Sequence, residues 1–237
     1  MNKFPVSILY TLLLLSCSNT KDKILFSFDK QLEGISNIKG LKGNGDYLYT
    51  TAGNMLYSIG NQFGNFPETG FHVPGEMGGI WQHPIKLLDG FQLSINDSIL
   101  TKSKQFTAYP FASQFDYQQS QEVSVKRTDF VPDSLPVLAI EYIISNKTSG
   151  LKDMNVSLYI NSDLRPVWLG ERSGMIDSRD TLLGVQDNNI VIIKDSLNEW
   201  YAGISSETDS FTVKNSKNSL LKGKGVSIKL GIPIFKL

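Results

Sequence analysis

Short runs of β-branched and aromatic residues recur through most of this sequence, and they constrain the fold more than any other feature. Clusters of Gly, Asn, Asp and Ser separate the runs and favour turns. Val123 and Val125 alternate with polar residues, as do Val156, Leu158 and Ile160, which is typical of strands with one buried face. No convincing amphipathic helical pattern is present. We therefore predict an all-β fold, a large antiparallel β-sandwich. The predicted strands are Tyr47–Thr51, Met55–Ile59, Phe91–Ile95, Phe106–Tyr109, Glu122–Arg127, Val137–Ile144, Asn155–Ile160, Ile190–Lys194, Tyr201–Ser205, Phe211–Lys214 and Val226–Ile232.

The segment from Asn61 to Leu88 departs from this pattern, because it is rich in Gly and Pro and lacks periodicity. We expect an irregular segment there. A loop of that length within a compact domain is usually functional, or packed by its own side chains.

The N-terminus has the pattern of a secretory signal. Lys3 precedes an apolar stretch from Val6 to Leu15 that is too short to span a bilayer, and Ser16 and Cys17 follow it. The sequence Leu-Leu-Ser-Cys at positions 14–17 resembles the bacterial lipobox. The resemblance implies cleavage before Cys17 and acylation of its thiol, which would hold the chain on a membrane. An ordinary signal peptide, or a buried hydrophobic element that contains a cysteine, is the alternative.

We therefore expect a signal peptide at residues 1–16, a lipidated tether at 17–23 and one β-sandwich domain at 24–237. The expected location is a bacterial cell envelope. Ser18 favours the outer membrane, because an aspartate after the lipidated cysteine is associated with inner-membrane retention in some bacteria.

Charge and composition narrow the functional classes. The chain has 23 basic and 23 acidic residues, so no basic patch for nucleic acid is indicated. His72 and His83 are its two histidines, which argues against a histidine-based metal site or a Ser-His-Asp triad. We predict no metal and no other cofactor.

Two polar segments have the composition of a carbohydrate-binding surface, residues 70–91 and residues 161–180. An indole ring can cover the apolar face of a sugar while charged side chains and histidine bind its hydroxyls. Core packing, loop hydrogen bonds and solvated ion pairs are the alternative roles for the same residues. The candidate carbohydrate-binding residues are Trp81, His83, Lys86, Asp89, Arg165, Trp168, Glu171 and Arg172.

The same segments contain candidate catalytic acids. A glycosidase with paired carboxylates needs two acids roughly 5–10 Å apart across the scissile bond. Glu76 with Asp89, or Glu171 with Asp177, could supply such a pair, and stabilisation of a loop is the alternative for each. The spacing does not decide between these roles.

Residues 75–91, GEMGGIWQHPIKLLDGF, are followed by residues 127–170, RTDFVPDSLPVLAIEYIISNKTSGLKDMNVSLYINSDLRPVWLG. Together they resemble the N-terminal β-sandwich, or supersandwich, of bacterial glycogen-debranching-type (six-hairpin) glycoside hydrolases. The resemblance extends from about Gly43 to Ile234. In that family the sandwich precedes an (α/α)6 barrel, which carries the catalytic acid and base. The sequence ends at Leu237, just after its last predicted strand, so we expect no barrel and assign no catalytic residue of the family to this chain.

Three functions remain open. The first is an envelope-anchored, non-catalytic sandwich that associates with an α-glucan or another oligosaccharide, or that is a truncated enzyme. The second is a complete glycoside hydrolase with paired carboxylates. The third is a structural partner of a separate helical barrel or another envelope protein, for which we expect an exposed apolar patch of more than a few hundred Å².

Overall fold

The computed structural model describes residues 11–15, 27–40, 45–148, 150, 153–186, 190–206, 212–215 and 225–236. Strands dominate these residues and no helical barrel is present among them, so the predicted all-β, largely antiparallel sandwich is confirmed. The two short helices are α1 (Phe28–Gln31) and α2 (Trp168–Arg172). The strands are β1 (Thr11–Leu15), β2 (Ile38–Lys39), β3 (Leu48–Ala52), β4 (Tyr57–Asn61), β5 (Gly79–Gln82), β6 (Ile85–Ile95), β7 (Ser98–Ile99), β8 (Gln105–Ala108), β9 (Ala112–Gln118), β10 (Val123–Phe130), β11 (Ala139–Asn146), β12 (Asp153–Pro166), β13 (Asp180–Gln186), β14 (Ile190–Asp195), β15 (Tyr201–Ser206), β16 (Thr212–Asn215) and β17 (Ser227–Lys236).

The strands form two sheets. Sheet A contains nine strands in the order β13-β14-β15-β1-β11-β10-β9-β8-β2. Sheet B has the order β16-β17-β12-β6-β5-β4-β3, and β7 pairs with β6 beside this path. Neighbouring strands in the described residues pair antiparallel, except that β1 runs parallel to both of its neighbours.

Alternation along the strands places the apolar side chains of both sheets in one core. Ile140 and Tyr142 of β11 are buried on the inner face of sheet A, and Val156, Leu158 and Ile160 of β12 are buried on the inner face of sheet B. A strand presents every second side chain to the same face, so this period of two explains why the two sheets pack face to face.

The predicted strands all overlap observed strands, but two of the observed strands are much longer. β6 begins at Ile85 instead of Phe91, and β12 continues to Pro166 instead of ending at Ile160. The expectation of an irregular segment at residues 61–88 is correct for residues 62–78 and wrong for β5 and the start of β6. The short strands β2 and β7 and the longer strands β9 and β13 were not predicted.

The N-terminal strand β1 lies within the predicted signal peptide. Its residues Thr11–Leu15 insert between β11 and β15, with Leu13 in register with Ile140 on one side and Ser206 on the other. The predicted lipidation site Cys17 and the predicted tether at 17–23 lie outside the described residues. No helix in the described part of the chain is long and apolar enough to span a bilayer.

A buried ion pair lies in the core beneath sheet A. Arg127 and Asp129 are two residues apart on β10, so their side chains point to the same face. The Arg127 guanidinium donates from Nε to Asp129 Oδ1 at 2.7 Å and from Nη1 to the Gly64 carbonyl at 2.8 Å. The Phe91 and Phe115 rings lie 4.4 and 4.6 Å from its central carbon. The guanidinium donates four hydrogen bonds among the described residues, and aromatic side chains enclose the pair.

Candidate functional site

The two predicted polar segments converge because β6 and β12 are neighbours in sheet B. Lys86 of β6 is in register with Arg165 of β12, and Ile85 with Pro166. One residue further, the Val167 N–H donates to the Pro84 carbonyl at 2.9 Å. The turn between β5 and β6 and the start of α2 therefore lie side by side at one end of the sandwich.

Lys86, Asp89 and Asp163 form an ionic cluster at this end, the Lys86 cluster. The Lys86 side chain is 1% exposed, and its ammonium donates to Asp89, to Asp163 at 3.0 Å and to the Gly75 carbonyl at 2.7 Å. An ammonium has three donors, and each of them has an acceptor here. The cluster thus sets one cation against two carboxylates, and it has a net charge of −1 when both carboxylates are ionised.

Irregular strand pairing makes this arrangement possible. In a regular strand, Lys86 and Asp89 would point to opposite faces, because they are three residues apart. The β5–β6 register shifts between Ile80 and Trp81, and the β6–β12 register shifts on both sides of Ser162. Bulges of this kind redirect side chains and are over-represented next to functional sites.

Gly79 keeps the backbone close at the same place. Its φ is +90°, and a Cβ there would lie 2.2 Å from the Leu88 carbonyl oxygen. Only glycine tolerates both the left-handed conformation and this contact. Gly79 therefore serves the backbone geometry of this irregular pairing.

Asp89 is the carboxyl group of the Lys86 cluster with the most perturbed titration. Its side chain is 16% exposed. Burial raises the pKa of Asp89 to about 7, the Lys86 ammonium opposes this, and the Asp163 carboxylate adds to it. A carboxyl group that titrates near neutrality can act as an acid or a base.

Glu76 stabilises the loop between β4 and β5. Its Oε1 accepts the backbone N–H groups of Phe71 at 2.7 Å and His72 at 2.8 Å, and it contacts His72 Nδ1 at 3.1 Å. Burial acts to raise the pKa of Glu76, but the N–H donors of His72 and Phe71 outweigh it and hold the pKa below its usual value. A carboxylate committed to these bonds fits the loop-stabilising alternative better than catalysis.

The two predicted residues of the β5–β6 hairpin have different surroundings. Trp81 is 4% exposed, donates to the Gly78 carbonyl at 2.9 Å and stacks on Tyr57. It therefore does not offer its indole face to a sugar in this structure, and the core-packing alternative describes it. His83 is exposed in the turn, before the cis peptide bond to Pro84.

Trp168 is half-buried at the start of α2 and contacts two side chains. The His72 ring stacks on it at a centroid distance of 4.6 Å, and the exposed Arg172 lies 5.1 Å from its ring. Sequence reasoning identified Trp168 and Arg172 but missed His72 as their neighbour, because a ring contact between two distant segments has no local sequence pattern.

The other predicted residues are more scattered. Arg165 is buried on β12 beside Lys86, and Asp177 is half-buried in the segment after α2. Glu171 belongs to α2, and its side chain lies outside the described residues, so the Glu171 and Asp177 pair stays a prediction. Asp163, which was not a candidate, is the carboxylate that completes the Lys86 cluster.

An apolar rim of four exposed side chains lies on neighbouring segments at this end of the sandwich. It consists of Phe71, Leu169, Ile176 and Leu197, whose exposed fractions are 89%, 57%, 65% and 73%. The His72–Trp168 stack joins the loop of Phe71 to the helix of Leu169. Asn198 Nδ2 donates to the Ile176 carbonyl at 2.9 Å and so joins the β14–β15 turn to the same surface. Exposed apolar side chains that form a contiguous patch are typical of interaction surfaces.

An open groove of about 420 Å³ lies elsewhere, over strands β9–β11 of sheet A, and it contains none of the predicted site residues. One of its lysines, Lys126, forms a 2.7 Å ion pair with Asp29. Within the described residues, no group of three His, Cys, Asp or Glu side chains is arranged to hold a metal ion.

Comparison with known proteins does not assign the chain to a family. No protein-family model matches the sequence, and a search of curated proteins gives no significant match. We therefore infer the function of this chain from its residues and their geometry.

Proposed function

We propose that this chain is a non-catalytic β-sandwich of a carbohydrate-active system in a bacterial envelope, and that its apolar rim docks onto a helical catalytic domain of the glycoside hydrolase type. The observation that carries the proposal is the position of four side chains on α2 and on the segments joined to it, each more than half exposed: Phe71, Leu169, Ile176 and Leu197. Such side chains gain about 25 cal/mol per Å² when a partner removes them from water.

The polar residues beneath the rim favour docking over direct sugar binding. Lys86 and Glu76 have their hydrogen-bonding capacity occupied by Asp89, Asp163 and the loop backbone, and Trp81 is buried. Trp168 and the exposed Arg172 remain at the surface beside the rim, where they could contact a partner or an oligosaccharide held between the two proteins.

The choice of partner comes from the resemblance of residues 75–91 and 127–170 to the N-terminal sandwich of debranching-type glycosidases. In that family the sandwich accompanies an (α/α)6 barrel. We infer that a barrel of this type is the partner of the present chain, whether encoded separately or on a continuation of the same gene.

Site-specific photo-crosslinking in the native envelope tests the docking. A benzophenone amino acid at position 71 should form an adduct whose mass spectrum identifies a glycosidase-type helical domain. The matched control is position 38 on β2, where Ile38 is 75% exposed but lies away from the rim. Equal labelling at positions 71 and 38, or adducts without such a domain, would contradict the proposal.

The second candidate, a complete glycoside hydrolase, is favoured by one observation. Asp89 has a pKa raised to about 7 by burial, and it shares the Lys86 ammonium with a second carboxylate, Asp163. We expect the purified chain to release no reducing sugar from maltoheptaose or pullulan. Release that Asp89→Asn abolishes, and that Asp180→Asn leaves unchanged, would establish the enzyme instead.

Anchoring at Cys17 has its own test. Cells fed a labelled fatty acid should incorporate it into the wild-type chain and not into Cys17→Ser, and the wild-type chain should fractionate with membranes. Equal labelling of the two chains would reject the lipid anchor without bearing on the docking surface.

A further inference from the structure

Strand β1 occupies an unusual place in sheet A. It pairs with β11, where Leu12 to Leu15 face Ala139 to Tyr142, and with β15, where Thr11 to Leu13 face Ile204 to Ser206. On one side the sheet continues as β15-β14-β13, and on the other as β11-β10-β9-β8-β2. In the described residues, β1 alone joins these two groups by hydrogen bonds within the sheet.

Removal of β1 would leave two facing strand edges in the middle of the sheet. The inward side chains on those edges belong to the core: Ile140 and Ile204 are 0% exposed and Tyr142 is 1% exposed. Buried backbone N–H and C=O groups are almost always paired, and an unpaired edge is a template for another strand.

Direct closure of this gap would disturb the core. Neighbouring strands lie about 4.8 Å apart, so β11 and β15 are separated by about twice that distance. To pair with each other, the β13-β14-β15 group would have to slide by about one strand spacing over a close-packed interior. Val191, Ile193 and Ile204 of that group are 0% exposed and belong to the common core.

We propose that the space between β11 and β15 is a strand-acceptor site, filled by Thr11–Leu15 in the precursor and, in the processed protein, by an extended apolar segment of another polypeptide. This inference rests on the proposed removal of the residues before Cys17, which would take β1 away. The mode is strand addition, in which main-chain hydrogen bonds give affinity and alternate side chains give selectivity.

The flanking strands define the chemistry of the partner segment. It has about five residues, it runs parallel to both strands, and its side chains level with Ile140 and Tyr142 are apolar because they face the core. Level with Leu14 lies Glu141, which is fully buried, accepts the Phe28 N–H through Oε1 and has no hydrogen-bond partner on Oε2 among the described residues. A hydroxyl or amine donor at that position would satisfy the Glu141 carboxyl group.

The test uses a peptide with the sequence of residues 11–15, made soluble by lysines outside it. The receptor is the full chain with Cys17→Ser and Leu13→Pro, because proline lacks the N–H that the ladder needs and should displace β1. At a peptide concentration about 100-fold above its Kd, we expect the Tm to rise by roughly 5–10 °C. A peptide with proline in place of Leu13 is the control.

Hydrogen exchange locates the binding. Amides of residues 139–142 and 204–206 should gain protection with the apolar peptide and not with the proline peptide. A peptide with threonine in place of Leu14 should bind this receptor severalfold more tightly than it binds the same receptor with Glu141→Gln added. Unchanged Tm and unchanged protection with the apolar peptide would overturn the proposal, including the case in which residues after Cys17 fill the space themselves.

Intact mass, peptide binding and hydrogen exchange, measured on the chain isolated from envelopes, test the proposed removal of residues 1–16 separately from the strand-acceptor site. If its intact mass shows that residues 1–16 are retained, the proposed processing is wrong, whatever the peptide does. If residues 1–16 are absent and the isolated chain neither binds the peptide nor contains a bound segment that protects residues 139–142, the strand-acceptor site is wrong and the processing stands.

Discussion

The Arg127–Asp129 pair and the Lys86 cluster each bury a cation in the sandwich, but they compensate its charge in different ways. Arg127 lies on a regular strand, is 2% exposed at its side chain and donates in a fork to a single carboxylate. Lys86 lies beside irregular strand pairing and binds two carboxylates, one of which, Asp89, is 16% exposed.

The two clusters differ in whether their carboxyl groups reach solvent. Asp129 is fully buried among aromatic rings and has no access to solvent. Asp89 titrates near neutrality and reaches the surface, so it can take up a proton in place of its cation. The Arg127–Asp129 pair therefore stays closed to solvent, whereas the Lys86 cluster can respond to pH.

The largest expected effect comes from Arg127→Met. The substitution leaves Asp129 buried without its cation, which should lower the free energy of unfolding by about 3–5 kcal/mol. Urea unfolding followed by fluorescence measures it. Lys126→Met is the matched control, because Lys126 is 33% exposed and its ion pair with Asp29 should contribute less than about 1 kcal/mol. Similar losses in free energy of unfolding for the two variants would show that the buried Arg127 pair stabilises the fold no more than the exposed Lys126 pair does.

Lys86→Met should have a smaller effect that depends on pH. Removal of the ammonium leaves Asp89 and Asp163 beside each other, and we expect a loss of about 1–3 kcal/mol above neutral pH. Burial raises the pKa of Asp89 to about 7, so at lower pH this carboxyl group takes up a proton and the loss should shrink. Unfolding of Lys86→Met and Arg127→Met at several pH values compares the two clusters. If the loss for Lys86→Met stays constant with pH, the Lys86 cluster does not respond to pH and does not differ from the Arg127 pair in this respect.

The sequence contained enough information for the Arg127 pair but not for the Lys86 cluster. Val123 and Val125 alternate with polar residues, and the same period extended along β10 places Arg127 and Asp129 on the buried face. Local alternation predicted the sandwich and its strands for the same reason: a strand with one buried face has a period of two.

The Lys86 cluster depends on non-local pairing and on bulges, which have no such period. Asp163 was missed because β12 continues past Ile160 through polar residues that are nevertheless buried. The contact between Lys86 and Asp89 requires an irregular register that no local pattern encodes. Composition identified the two segments as candidates, but only the β6–β12 register brings them together.

Asp89→Asn should change the pH dependence of stability. The pKa of Asp89 in the folded chain, about 7, lies above its unfolded value of about 3.9, so its contribution is fully present at low pH and is lost as the pH rises through about 7. We expect wild type to lose about 2–3 kcal/mol more than Asp89→Asn between about pH 5 and pH 8.

Asp180→Asn is the control for this pH profile. Burial raises the pKa of Asp180 to about 6, so its loss of stability has the same sign but falls about one pH unit lower. Chemical unfolding across this range should therefore separate the two positions. Parallel profiles for wild type and Asp89→Asn would mean that Asp89 does not titrate in the folded chain.

His72→Ala should have the smallest effect. It shows which interaction stabilises the β4–β5 loop more, the hydrogen bonds of Glu76 to the loop backbone or the stack of His72 on Trp168. Its side chain is 52% exposed, and Glu76 binds the His72 backbone N–H, which alanine retains. We expect a loss of less than about 1 kcal/mol, together with a shift in Trp168 fluorescence as the stacked ring is removed. Glu76→Gln keeps the His72 ring and weakens the bonds to the loop backbone, so it should destabilise the chain more. The reverse order would place the stability of this loop in the His72–Trp168 stack, and the apolar rim would then depend on α2 for its shape.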